Sequence, residues 1–214
     1  TFKTYSFSYD HYFSDFRSGI GFLGYKDAAG TGELGTFSMS MLYSYNFKVF
    51  NDIQLRPGLG FAYLEHGLAW EKLEFIDQVM HSGQGNIQPE PVAKTRDVDM
   101  SLSLLSYNQK MWLGLTADHI LTPNISLYAS KTLIPVKISL YGGYDIIKKG
   151  RLLKPSDESM TAAFLFKRQG SFTQLDMGLY WFKNPFVIGL WYRVIPPFNS
   201  QRGDELIILL GYKT

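Results

Sequence analysis

Asn184-Pro185-Phe186-Val187-Ile188-Gly189-Leu190-Trp191-Tyr192-Arg193 is the stretch that decides the fold. It alternates strictly. Phe186, Ile188, Leu190 and Tyr192 share one face, and Val187, Gly189, Trp191 and Arg193 share the other. Successive side chains of a strand point to opposite faces, so this is a strand with one wholly apolar row and one mixed row containing a glycine and a cation. A soluble sheet hides its apolar row in a core. A membrane barrel turns it toward lipid and keeps the polar and small residues inside.

Working outward, the same pattern returns ten more times. Lys3–Phe13 sets Tyr5, Phe7 and Tyr9 against Ser6, Ser8 and Asp10, and residues 16–25 set Phe16, Ile20 and Phe22 against Arg17, Gly19, Gly21 and Tyr25. Phe37, Met39, Met41, Tyr43, Tyr45 and Phe47 form an unbroken apolar row. Further runs cover 53–65, 97–107 (Val98, Met100, Leu102 and Leu104 against Asp97, Asp99, Ser101 and Ser103), 110–118, 136–147, 159–168, 172–182 and 206–212, the last with Leu206, Ile208 and Leu210. Pro57 cannot donate to a ladder and predicts a bulge in its run. Residues 66–96 and 120–135 lose the period and read as a long rim loop and an irregular segment. In the first of these, Trp70, Leu73, Ile76 and Val79 allow a short amphipathic helix. Leu152-Leu153 allows a brief pairing.

The reading is therefore an all-β, antiparallel transmembrane β-barrel of the bacterial outer membrane. It forms a single domain over 1–214, with eleven strands visible and about 12–14 when complete, because single-chain bacterial barrels have even strand counts. The predicted lipid-facing residues are Phe37, Met39, Met41, Tyr43, Val98, Met100, Leu102, Phe186, Ile188, Leu190, Leu206, Ile208 and Leu210. The predicted interior charges are Arg17, Arg56, Asp99, Lys137, Asp145, Asp176 and Arg193. They are read either as mutually paired charges plugging the lumen or as an ion or ligand path.

Composition agrees with this class. The 214 residues carry a formal charge of +2, which gives no reason to expect a nucleic acid partner. The absence of cysteine excludes disulfides and thiolate metal sites. Aromatic content of 16% suits girdles at a membrane boundary. A mean hydropathy of -0.09 is that of a barrel whose polar interior offsets its apolar outside. No apolar run reaches the roughly eighteen residues of a transmembrane helix. The chain opens on Thr1-Phe2-Lys3 and reads as a mature or truncated product.

Gly19-Ile20-Gly21-Phe22-Leu23-Gly24 matches the dinucleotide fingerprint in letters, but it lies inside an alternating run and lacks the helix the fingerprint needs. Asp118-His119 and Glu65-His66 are candidate acid–base pairs in letters as well, but adjacent strand residues face opposite ways. His11, His66, His81 and His119 have no metal-ligand spacing. The sequence thus offers no catalytic, cofactor or metal residues.

Ser40–Asn46, Leu73–Gln78, Trp112–Asn124, Leu153–Ser156, Phe186–Arg193 and Asp204–Tyr212, in this order, resemble the PorP/SprF family of Bacteroidetes outer-membrane proteins. The resemblance implies one further strand before and about two after this region. It also implies a non-enzymatic role in the type IX secretion and gliding machinery, helping to export or anchor secreted cell-surface proteins. The implied partners are outer-membrane lipid, a secreted adhesin or other client, and periplasmic or translocon components; docking is expected on the 66–96 and 120–135 loops. The other readings are a passive porin or small-molecule transporter lined by Trp112, Tyr141 and Trp191, an outer-membrane lipase or acyltransferase, and a soluble β-sandwich.

Overall fold

The computed structural model describes residues 2–50, 52–73, 92, 94–128, 130–149, 158–195 and 204–212. The eleven alternating runs are eleven long strands: β1 (Phe2–Phe13), β2 (Ser18–Ala29), β3 (Leu34–Tyr45), β5 (Gln54–Gly67), β6 (Lys94–Tyr107), β7 (Met111–Asp118), β8 (Lys137–Lys149), β9 (Glu158–Gln169), β10 (Phe172–Lys183), β11 (Phe186–Val194) and β12 (Glu205–Tyr212). A two-residue β4 (Phe47–Lys48) completes a twelve-stranded sheet in which each long strand pairs with the next, from β1 to β12, and β4 pairs with β5. β1 with β2, β4 with β5 and each successive pair from β6 to β12 run antiparallel. This is the up-and-down order that a barrel uses. No helix among the described residues is long and apolar enough to cross a membrane, which is silent about crossing by strands.

Some boundaries differ from the sequence reading. β2 begins at Ser18 and continues to Ala29, because Phe2–Thr4 of β1 pair with Asp27–Ala29 and the Asp27 carboxylate accepts the Thr36 N–H at 3.0 Å. Phe16 and Arg17 stand in the preceding turn, where Arg17 has φ of 52°, the left-handed region seldom used by residues other than glycine. β5 runs through Pro57 without interruption. A register shift lies in β8, between Asp145 and Ile147. The expected 66–96 loop is shorter at both ends, since residues 66–67 belong to β5 and 94–96 to β6. At the start of the expected short helix the described residues hold a 3-10 turn, Trp70–Lys72; Ile76, Val79 and Leu152-Leu153 lie outside the described residues.

The chain divides into two compact units: Thr1–Ser44 with Leu59–Ser101 and His119–Pro135, and Tyr45–Gly58 with Leu102–Asp118 and Val136–Thr214. In the second unit the cross-strand row Met111, Tyr144, Ala162, Leu179, Leu190, Ile208 runs through six strands. Its large members are all exposed, whereas Ser139, Asp176, Gly114, Gly178 and Gly189 on the other face are buried. In the first unit Met39, Met41, Phe61 and Val98 are exposed while Ser38 and Asp99 are buried. Among the described large hydrophobics only Leu64, Leu127 and Val194 are buried. Burial of serine and aspartate beneath exposed rows of leucine and methionine inverts the order of a water-soluble domain.

Candidate functional site: the mixed face and its loops

The mixed face is held by cross-strand pairs whose partners are set by register. Asp176, Arg193 and Glu205 are direct neighbours on β10, β11 and β12. Arg193 donates from Nε to Asp176 Oδ1 at 2.9 Å, from one terminal nitrogen to Asp176 Oδ2 at 3.3 Å and from the other to Glu205 Oε2 at 3.0 Å. Gln174 Nε2 donates to both Asp176 oxygens at 2.8–2.9 Å. A buried carboxylate is stable only when its lone pairs are used, and here they are.

Lys137, Asp145 and Arg56 are engaged as well. Lys137 meets Asp118 at 2.9 Å, the Thr161 hydroxyl donates to Asp145 at 2.7 Å, and Arg56 donates to the Tyr107 hydroxyl at 3.2 Å with its guanidinium 5.5 Å from that ring's centre. Tyr107 in turn donates to Gln54 at 2.8 Å, and Asn46 donates to the same Gln54 oxygen at 2.6 Å. Arg17, exposed in its turn, is not brought to these groups.

Aromatic residues on this face lie against glycines. Trp112 stands opposite Gly143, Tyr141 opposite Gly114, Trp191 opposite Gly178 and Tyr180 opposite Gly189. A Cβ added at Gly143, Gly114 or Gly178 would fall inside the facing ring, and one at Gly189 would come within 2.9 Å of Tyr180. The rings therefore cover the backbone of the neighbouring strand. This is the aromatic cover of glycine known from built sheets, and it needs a glycine directly across. Tyr180 and Trp191 also pack edge to face at 5.5 Å.

In the first unit, residues 119–135 fold onto the mixed face of β6. Asp99, buried, takes His119 Nδ1 at 2.7 Å; Asp97 accepts the Asn124 N–H at 2.7 Å; Ile120 N–H reaches the Met100 carbonyl at 3.0 Å; and the Thr95 hydroxyl donates to the Ser126 carbonyl at 2.5 Å. Pro123 is fully buried and Leu127 is buried. The Asn124 carboxamide oxygen accepts from the Ser126 and Thr132 N–H groups, closing a small hairpin bridged at Asn124 and Leu133. The segment is thus a packed lobe, and it presents Leu121, Tyr128 and Leu133 to its surroundings. Its hold on Asp97 and Asp99 was not visible to sequence reasoning, whose only signal was two acidic residues on one strand face.

The acid–base pairs in letters are separated by the fold: His119 goes to Asp99, His66 to the Thr36 hydroxyl at 3.0 Å, and Glu65 to Lys94 and Arg96. The fingerprint glycines all lie in β2. Among the described residues no group of three His, Cys, Asp or Glu could hold a metal ion. In the turn before β3, the Lys72 ammonium hydrogen-bonds Glu33 at 2.6 Å and holds its carboxyl below the usual carboxylate range. Ala69 N–H to Gly32 carbonyl, at 2.7 Å, ties the same two segments.

The profile of the family described as "Type IX secretion system membrane protein PorP/SprF" matches residues 1–214. The chain belongs to the PorP/SprF family. No curated protein and no solved structure gives a match. Membership makes the chain a membrane component of the type IX secretion system, a system component rather than a member of a known enzyme family.

Proposed function

We propose that this PorP/SprF chain is a non-enzymatic outer-membrane barrel that helps export or anchor secreted cell-surface proteins of the type IX secretion and gliding system. The observation that carries the reading is the inverted burial: Leu179, Leu190 and Ile208 outward, Asp176 and Ser139 inward, in a chain whose whole length matches a secretion-system membrane family. The same rows support the lipid-facing reading of Phe37 through Leu210, Phe37 and Met100 being half-buried and the others exposed. The interior charges act as structural pairs. Asp176, Arg193 and Glu205 satisfy one another, as do Lys137 and Asp118, which supports a filled scaffold over a charged conduit.

Docking falls to the loops at one end of the first unit. The 30–33 turn, the end of β5 at Gly67, the start of β6 at Lys94 and the 119–135 lobe are there, while the 14–17 turn is at the other end. In bacterial barrels the long loops are extracellular and the short turns periplasmic, so we assign this end to the outside. Leu121, Tyr128 and Leu133 then form the apolar part of the surface offered to a secreted client.

The test is mass spectrometry of what co-purifies with the chain from native outer membranes. Recovery of a secreted client or of translocon components is expected, and it should be lost when Leu121, Tyr128 and Leu133 are all changed to Ser. A steady open conductance in planar bilayers, with no client recovered, would replace this reading with a porin.

A further inference from the structure

β6 lies between β5 and β7, yet its register with β7 covers only residues 102–107. Residues 94–101 therefore present an edge that β7 does not reach. β7 ends at Asp118, and His119 and Thr122, with φ of 59° and 47°, turn the chain off the ladder. The Met100 carbonyl takes the Ile120 N–H at 3.0 Å, so on this edge the backbone groups of Lys94, Arg96, Val98 and Met100 point away from β5. Two of their N–H groups are held by the strand's own side chains, Val98 donating to Asp97 Oδ1 and Met100 to Asp99 Oδ1, both at 2.8 Å. Such capping blunts an edge against unwanted pairing.

The second oxygen of each carboxylate holds the 119–135 lobe, Asp97 Oδ2 through the Asn124 N–H and Asp99 Oδ2 through His119 Nδ1, both at 2.7 Å. The lobe lies along this edge where a strand would lie. Its backbone meets the edge backbone at Ile120, beside Met100, and again at Leu127, whose carbonyl takes the Val92 N–H at 2.7 Å. Between those points its partners on β6 are the Thr95, Asp97 and Asp99 side chains. The lobe also closes on itself, with Ile125 N–H on the Thr132 carbonyl and Ile134 N–H on the Pro123 carbonyl, both at 2.9 Å. It can leave the edge as one piece.

Charge says what would replace it. The mixed face of the first unit's strands carries Asp10, Asp27, Asp97 and Asp99 and no lysine or arginine. The lobe's Lys131 is exposed and contacts none of them. Asp97 and Asp99 are two residues apart and share a face, so a strand laid on this edge sets alternate side chains against them. Cations at those positions would take over from His119 and the Asn124 N–H.

We propose that residues 94–100 of β6 are a strand-acceptor edge for an extended segment of the secreted client carrying lysine or arginine at alternate positions, and that the 119–135 lobe is the cover this segment displaces. The proposal names the chemistry of the client and rests on the reading of this end as the client-docking side.

The experiment is peptide binding to the full chain in detergent, read by fluorescence anisotropy and by hydrogen exchange with mass spectrometry. The probes are a seven-residue peptide alternating lysine and valine, its counterpart with glutamate for lysine, and the lysine peptide N-methylated throughout. The lysine peptide should bind about ten-fold more tightly than the glutamate one, and N-methylation should abolish binding by removing the main-chain donors. On binding, the amides of 94–100 should exchange more slowly and those of 119–127 faster. Asp97→Ala with Asp99→Ala should bring the two peptides within about two-fold of each other. Heat-modifiable migration reports that this variant has folded, and the wild-type comparison stands without it. Equal binding of the lysine and glutamate peptides, binding that survives N-methylation, or slower exchange of the lobe would overturn the edge. A chain that recovers a client from native outer membranes but fails the peptide test sinks this inference alone. Failure of both sinks the client-docking reading as well.

Discussion

Replacing Arg193 by Met tests whether the interior charges are structural. The substitution keeps an unbranched apolar stem and removes the fork that joins Asp176 to Glu205. The Asp176 side chain is only 9% exposed, so its carboxylate is left with Gln174 as its side-chain donor. Breaking a buried pair costs about 3–5 kcal/mol, and an exposed pair is worth about 0.2–1 kcal/mol. With Arg193 itself 33% exposed, an intermediate loss of about 2–3 kcal/mol is expected. Glu205 is 57% exposed, and Glu205→Gln should cost under about 1 kcal/mol.

The assay is denaturant unfolding of the chain refolded in detergent or vesicles, followed by tryptophan fluorescence and gel mobility. Asp176→Asn in the Arg193→Met background should return at least half of the loss, because the buried charge then disappears with its partner. A loss below about 0.5 kcal/mol for Arg193→Met, or no recovery on adding Asp176→Asn, refutes the paired-plug account.

Three further outcomes are expected. Gly143→Ala and Gly178→Ala each force a tryptophan ring off the facing strand and should cost about 1–3 kcal/mol with a red-shifted emission, whereas Gly24→Ala, whose nearest neighbour would be 3.9 Å away, should be silent; equal effects would reject the ring-over-glycine packing. Leu190→Arg places a charge in an exposed row and should cost about 2–4 kcal/mol for insertion into vesicles; an improvement in folding would mean the row faces water. Asp97→Ala with Asp99→Ala removes two anchors of the 119–135 lobe and should make that segment the first site of limited proteolysis, while an unchanged digestion pattern would show that Pro123 and Leu127 hold it without them.

The eleven strands were legible because a strand's face preference is written every second residue. Phe186, Ile188 and Leu190 announce their row without reference to any other segment. Strand ends were less legible. Asp27-Ala28-Ala29 has the composition of a loop, and it is strand only because β1 lies alongside to pair with it. Residues 120–135 look irregular and are. That they fold onto β6 rather than standing free depends on Asp97 and Asp99, more than twenty residues away in sequence, being on the face where the chain returns.

By itself, then, the sequence determined the all-β class, the positions of the strands, the two faces of each and the family. The tertiary structure decided the partners: that Arg193 takes both Asp176 and Glu205, that Trp112 lies over Gly143, and that Asp97 and Asp99 hold the 119–135 lobe. The reason is that alternation is a local property with period two, whereas a partner is set by register, a long-range choice in which a slip of one residue would turn every one of these side chains to the opposite face.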